Sequence, residues 1–234
     1  MAPRAWPRLA PAAFDDTHRL IPGIYTEDAE HALAALADDD DGTLALITLA
    51  AATNARLQAQ EERHPGGLTR ADLVFGVPYS RIINAAFAYP GQGARFHSPH
   101  GPGAWYCALD LDTCIAEVAH HRVRHLHEMG ETDEHNIPYR LFLADVHAQD
   151  VAWLDDARPQ TRACLRPDDH TAGRELGQRL RAEGVSAVVY PSVRQPGGTN
   201  IAVLAAPVVA NVRRDALVRI SIADGALATA QVHD

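Results

Sequence analysis

Val185-Ser186-Ala187-Val188-Val189-Tyr190-Pro191-Ser192-Val193-Arg194-Gln195-Pro196-Gly197-Gly198-Thr199-Asn200-Ile201-Ala202-Val203-Leu204-Ala205 holds two short apolar runs joined by a polar turn rich in Pro and Gly. Val185–Tyr190 has the length and unbroken apolar character of a buried strand, and Ile201–Ala205 reads as a second one. Ala172–Glu183 is expected to be a helix stopped by Gly184. Working upstream, Arg140–Val146 reads as a strand, and a helix runs from a cap at Asp110 or Asp112 to about Glu128. Ala104–Leu109 reads as a strand, Gly91–Gly103 as a loop rich in Gly, Pro and His, and Ser80–Ala88 as a further strand. Helices mixed with short strands, without regular strand–helix alternation, define an α+β fold and argue against a doubly wound parallel sheet.

The first quarter of the chain has a different texture. Pro3, Pro7, Pro11 and Pro22 make residues 1–22 a poor helix and a poor strand, so an extended arm is expected there. Thr26 can cap a helix with Glu27, Asp28 and Glu30 in its first turn, and the acidic run Asp38–Asp41 with Gly42 ends it. A second helix is expected from Thr43 to about Arg63, before Pro65-Gly66-Gly67. The chain therefore divides into an arm and helical hairpin over residues 1–74 and a main domain over 75–234. The hairpin is either a buttress or a surface for a partner.

With 234 residues, 47% of them apolar and 22% charged, the chain can bury one substantial core. A net charge of −9 argues against general nucleic-acid binding, so any anion site must be local. All cationic side chains are arginines, since the sequence has no Lys, and a lysine nucleophile is excluded. Three cysteines without a CxxC pair fit a reducing compartment, and no apolar run approaches the roughly 20 residues of a membrane span. A cytoplasmic protein is expected. No GxGxxG or Walker-type loop stands in a setting that would support a Rossmann or P-loop site, and there is no internal repeat.

Several residues in this frame can carry chemistry. Arg81 and Arg95 flank a flexible region, and Arg95 lies in Gly93-Ala94-Arg95-Phe96, where a guanidinium fork can grip phosphate and a nearby Gly lets a ligand approach the backbone. Strand alternation puts Tyr106 on one face with Ala108 and Asp110, as a stacking platform or as a sheet residue whose hydroxyl meets backbone or water. Glu117 shares the polar face of its helix with Thr113, His120, His121 and Arg124. It is either a solvated carboxylate or, beside a cleft, a group that bonds a ribose hydroxyl and stabilises a sugar cation. Ser192 emerges after a buried strand without a GxSxG elbow, which favours a substrate hydrogen bond over a nucleophile, and Asn200 adds a polar contact. His120, His121, His125 and His127 crowd one helix, but the HExxH order is missing, so no metal is expected and a metal-dependent hydrolase rests on these histidines alone. Two arginines, an aromatic and a lone carboxylate suit an anionic nucleotide.

The ordered pattern of Arg81, Gly93-x-Arg95-Phe96, Trp105-Tyr106, Ala116-Glu117, Tyr190-Pro191-Ser192-Val193-Arg194 and Gly197-Gly198-x-Asn200 resembles the RES domain. That domain is called after its Arg, Glu and Ser and is found in the toxins of bacterial RES-Xre toxin–antitoxin pairs. The similarity covers about residues 75 to 210. It implies a compact fold like that of ADP-ribosyltransferases, here with an N-terminal helical extension, and NAD as the substrate. The implied reaction breaks the nicotinamide–ribose bond and depletes NAD, with water or inorganic phosphate as acceptor. The rival within the fold is a protein mono-ADP-ribosyltransferase, and the rival from another class is a noncatalytic NAD-binding module. Under the resemblance Arg81 and Arg95 would grip the diphosphate, Tyr106 would pack on the nicotinamide or its ribose, Glu117 would steady the oxocarbenium-like state and Ser192 would orient the substrate. An Xre-like antitoxin protein is the implied partner, with no direct binding of nucleic acid. His97 stands where the family often has Asn, which bears on the ribose contacts, and the N-terminal hairpin exceeds the minimal domain.

Overall fold

The computed structural model describes residues 6–25 and 68–233. The two helices expected over 26–63 lie outside the described residues. Seven strands form one sheet: β1 (Arg8–Pro22), β2 (Trp105–Ala108), β3 (Glu134–Trp153), β4 (Ala187–Pro191), β5 (Thr199–Val203), β6 (Val209–Ala223) and β7 (Ala226–His233). Their order is β1-β2-β5-β4-β3-β6-β7, and a further pairing of β1 with β3 closes the first five into a ring. Among the described strands only β3 and β4 run parallel. Among the described residues four α-helices accompany the sheet: α1 (Ser80–Ala88), α2 (Leu111–Met129), α3 (Pro159–Cys164) and α4 (Thr171–Ala182). The architecture is α+β.

Two sequence expectations are overturned. Residues 8–22 are not an arm but a strand paired with β3 from Arg8↔Trp153 to Pro22↔Tyr139. The prolines are tolerated because they fall where the ladder gives way: Pro11 sits at the register shift between Ala10 and Ala12, and Pro22 ends the strand. A domain boundary at residue 74 therefore separates a strand from its own sheet. Ser80–Ala88 is not a strand but the helix α1, which buries Ile83, Asn84, Phe87 and Ala88. Its apolar residues repeat with helical spacing, and the Asn84 amide closes a two-way bond with the backbone of Val74 (2.9 and 3.0 Å).

The strands expected over 104–109, 140–146, 185–190 and 201–205 and the helices expected from Asp110 or Asp112 and over 172–183 are present with shifted ends, whereas α3, β6 and β7 were not foreseen. Asp110 caps α2, accepting from the Thr113 N–H at 2.7 Å and the Thr113 hydroxyl at 2.8 Å. Gly130, with φ of 79°, closes the helix. The stripe Ile115, Ala119 and Leu126 packs α2 onto Leu141, Val218 and Ile220. Alternation in β4 sends Val188 and Tyr190 to a cluster under α4, and Ala187 and Val189 to a second core beneath α1. The sheet is thus covered on both faces.

Helix α4 lies unusually close to the loop before β2. A Cβ at Gly177 would collide with the Phe96 carbonyl, and one at Gly173 with that of Arg95. We expect Gly177→Ala to destabilise the protein by roughly 1–3 kcal/mol through overpacking against backbone, read as a lowered urea midpoint, whereas an exposed-position control such as Gln178→Ala leaves the midpoint near wild type.

Candidate functional site

Where the ring of strands meets α2, a cavity of about 270 Å³ opens. Its wall takes Glu117, His120, His121 and Arg124 from α2, Arg19 from β1, Tyr106 from β2, Asn200 from β5, Tyr190 from the end of β4 and Arg194 from the turn after it. Arg95 comes from the loop before β2, and Pro167 and His170 from the segment between α3 and α4.

Among the described residues Glu117 is the only carboxylate in this wall, and its position is fixed. Oε1 accepts from the Ser192 hydroxyl at 2.7 Å and from the Asn200 amide at 2.7 Å. Ser192 Oγ in turn accepts the backbone N–H groups of Arg194 (3.1 Å) and Gln195 (3.0 Å), so its single proton is directed to Glu117. The turn that carries Ser192 closes through Ser192 N–H to Gly198 O at 2.8 Å and Gly198 N–H to Gln195 O at 3.0 Å. Gly198 presses on the first turn of α2, where a Cβ would strike the Thr113 hydroxyl. Glu117 Oε2 takes part in none of the described hydrogen bonds.

The Tyr106 hydroxyl is committed to its own surroundings. It accepts the Phe96 N–H at 3.0 Å and meets His97 Nδ1 at 3.2 Å, while His97 Nε2 lies 3.1 Å from the Pro90 carbonyl. A carbonyl only accepts, so Nε2 carries the proton and Tyr106 donates to Nδ1. Burial pushes the phenol up to about 12. His97, buried and absent from the cavity wall, holds Tyr106 in place instead of touching a ligand.

Positive charge dominates the wall. Arg19 donates from Nη1 to the Tyr106 carbonyl at 2.7 Å and lies 4.5 Å over the Trp105 ring, and its Nε–H is buried without a partner. Desolvation lowers its pKa. Arg95 is buried and donates from Nη1 to the carbonyls of Cys164 (3.0 Å) and Arg166 (2.7 Å). Burial, followed by repulsion from Arg95, lowers His170 to about 4. Burial also lowers His120, with Arg194 adding to the effect. The wall therefore offers four guanidinium groups, uncharged imidazoles at neutral pH and one carboxylate, an arrangement complementary to an anion that also carries a developing positive centre.

Of the residues singled out from sequence, Glu117, Ser192 and Asn200 form one hydrogen-bonded group, and Arg95 and Tyr106 share its cavity. Arg81 does not join them. It is exposed on α1, outside the cavity wall, because the expected strand around it is a helix. Arg19 went unread: an arginine within Thr17-His18-Arg19-Leu20-Ile21, beside side chains that the sheet buries, is the signal for it. Among the described residues no three His, Cys, Asp or Glu side chains converge as metal ligands. Nor is any described helix long and apolar enough to cross a membrane.

Fold and site together define an α+β protein with an arginine-rich cavity built around one fixed carboxylate. The RES domain family model matches residues 68–223, well over half of the chain, and the chain belongs to that family. Strand β1, which supplies Arg19, precedes the matched residues. Among solved structures, the chain is similar to one in the crystal structure of the M. tuberculosis MbcT-MbcA toxin-antitoxin complex, with 18% identity over 57% of this chain and 75% of that one and a TM-score of 0.41. No curated protein matches the chain.

His97 and His170 both have lowered pKa values in the fold, so the unfolded chain binds their protons first as pH falls. Their stabilisation is complete above the ordinary histidine value of 6.5 and is lost towards about 4, where folded His170 protonates. Urea midpoints measured across that window should fall with acidity, and His170→Gln should flatten the lower part of the profile.

Proposed function

We propose that this chain is the toxin of a toxin–antitoxin pair and that it cleaves the nicotinamide–ribose bond of NAD in the cytoplasm. The observation that carries the reading is Glu117, held at Oε1 by Ser192 and Asn200 and set among Arg19, Arg95, Arg124 and Arg194. Membership of the RES domain family supports it.

In this reading the arginine-rich wall receives the diphosphate, and the aromatic faces of Tyr106 and Tyr190 pack against the nicotinamide ribose. The bond from C1′ of ribose to the pyridinium nitrogen breaks, and its electron pair leaves with nicotinamide as a neutral molecule. Positive charge passes to the ribose ring, where the fixed negative end of Glu117 stabilises it. Water or inorganic phosphate then bonds to C1′ and loses a proton, giving ADP-ribose or its 1-phosphate. Ser192 and Asn200 act by positioning Glu117, and Tyr106 acts as a surface because its hydroxyl is engaged by Phe96 and His97. Arg95 both shapes the wall and anchors the 164–166 backbone, so its charge serves the anion and the fold together. No cofactor takes part beyond NAD as substrate. An Xre-like antitoxin that covers the cavity is the matching partner.

Purified protein, freed of any bound partner, is incubated with NAD in phosphate and phosphate-free buffers while nicotinamide and the ribosyl product are followed. Release should be rapid, and Glu117→Gln should slow it by roughly 10²- to 10³-fold without loss of fold. Intact NAD, or label transferred to a protein acceptor, would overturn the hydrolytic or phosphorolytic reading. In cells, Glu117→Ala should relieve the growth arrest that the wild-type chain imposes.

A further inference from the structure

Arg194 has no individual role in the reaction set out above, yet its environment differs from those of its neighbours in the cavity. The side chain is 18% exposed. Nη2 donates to the Pro167 carbonyl at 2.8 Å, and the nearest recorded carboxylate, that of Asp168, stands 3.7 Å away on a side chain that is 89% exposed. Its Nε–H is buried and has no hydrogen-bond partner. Only four buried side-chain polar atoms among the described residues share that condition, and two of them are the Nε atoms of Arg19 and Arg194 in this one cavity. By contrast, Arg95 spends Nη1 on two carbonyls, and Arg124 is 58% exposed and reaches Glu128 at 3.3 Å. A buried guanidinium N–H without an acceptor is costly, and a solvated, distant carboxylate does little to offset it.

Its place in the chain says what it would meet. Arg194 stands two residues beyond Ser192 in a turn held by four hydrogen bonds, and Ser192 is bonded to Glu117. Arg194 therefore shares the cavity wall with Glu117 and is tied to it through Ser192, whose hydroxyl bonds both the Glu117 carboxylate and the Arg194 N–H. A phosphate group beside that ribose, attached to its 5′ carbon or arriving free as the acceptor, is the anion of matching charge and reach.

We infer that Arg194 is a phosphate-binding residue of the cavity, which receives a phosphate oxygen at Nε–H while Nη2 keeps the Pro167 segment in place. The inference rests on the NAD reading for the identity of the ribose, but its test does not require turnover. Inorganic pyrophosphate is titrated into wild type, Arg194→Gln and Arg194→Lys by calorimetry, and the Arg194 Nε–H resonance of wild type is followed by NMR during the same titration.

The Kd for pyrophosphate should weaken by at least about tenfold in Arg194→Gln, as expected for loss of one charge-assisted bond, and by less in Arg194→Lys. The wild-type Nε–H resonance should move to saturation. In turnover assays the loss should fall on KM rather than kcat: on KM for NAD in phosphate-free buffer if the diphosphate is the ligand, and on KM for phosphate if the acceptor is. Wild type that fails to bind pyrophosphate, folded variants that bind it as wild type does, or an Nε–H resonance that stays still at saturation would each overturn the assignment. Pyrophosphate bound through Arg194 by a protein that releases no nicotinamide would instead sink the NAD reading and leave this one standing.

Discussion

The rest of the molecule hangs on the pairing of β3. Along one edge it meets β1 from Tyr139 to Trp153. Along the other it meets β6 as far as Val146 and then β4 from Val151. A strand of 20 residues that changes partner midway must let the sheet diverge at that point, and the register shifts in β1 between Ala10 and Ala12 and between Phe14 and Thr17 supply the added twist. The ring closes as a consequence: β1 swings over to touch β2 at His18↔Ala108, and β5 lies between β2 and β4. Arg19, Tyr106 and Asn200, far apart in sequence, reach one cavity through that closure. Helix α2 then needs only to lie across it to deliver Glu117.

Charge is distributed against the average of the chain. The whole sequence carries −9, yet the cavity wall gathers four arginines around one carboxylate. Arg19 and Arg95 are held by backbone or ring groups that place them without neutralising them: the Tyr106 carbonyl and Trp105 ring for Arg19, and the Cys164 and Arg166 carbonyls for Arg95. Partial removal from water strengthens the field that these groups project, and the acidic residues elsewhere on the surface are screened from it by distance and salt. The cysteines play no visible part in this pattern. All three are buried, and burial raises the thiols of Cys107 to about 11 and Cys114 to about 12, far from reactive thiolates.

How far the sequence could be read depended on whether a signal was local. The Asp110 cap, the stop after α4 and the buried strand over 187–191 are written in neighbouring residues, and all appear in the structure. Ser80–Ala88 misleads because nine residues with paired apolar side chains satisfy a strand by length and a helix by period, and only the packing of Ile83 and Phe87 beneath the sheet decides. β1 misleads for the opposite reason: its prolines are sound evidence against an unbroken ladder, but where a strand bulges is set by a partner more than a hundred residues away. The long β6–β7 hairpin passed without notice. Glu117, Ser192 and Asn200 were legible as polar residues placed oddly for a core. Arg19 carried only a weak local signal, an arginine beside apolar Leu20 and Ile21, because the strands β2 and β5 that complete its cavity lie far away in sequence.

Ser192 shows how a local network limits the chemistry open to a site. A hydroxyl that accepts two backbone N–H groups and gives its proton to a carboxylate has little lone-pair density left for attack, and no histidine base bonds to it. The same bonds fix Glu117 by one oxygen and leave Oε2 turned to other use. A carboxylate so held is preorganised: it need not reorient when positive charge develops nearby, which is the condition under which a fixed charge is worth most. Serine, asparagine and glutamate thus act as one unit, with the glutamate as its working end. The arginines of the wall do not compete for this carboxylate: among the described residues no ion pair joins Glu117 to Arg19, Arg95, Arg124 or Arg194. Separating the cationic groups from the carboxylate leaves a cavity whose wall can attract an anion while its carboxylate keeps one oxygen unengaged among the described hydrogen bonds.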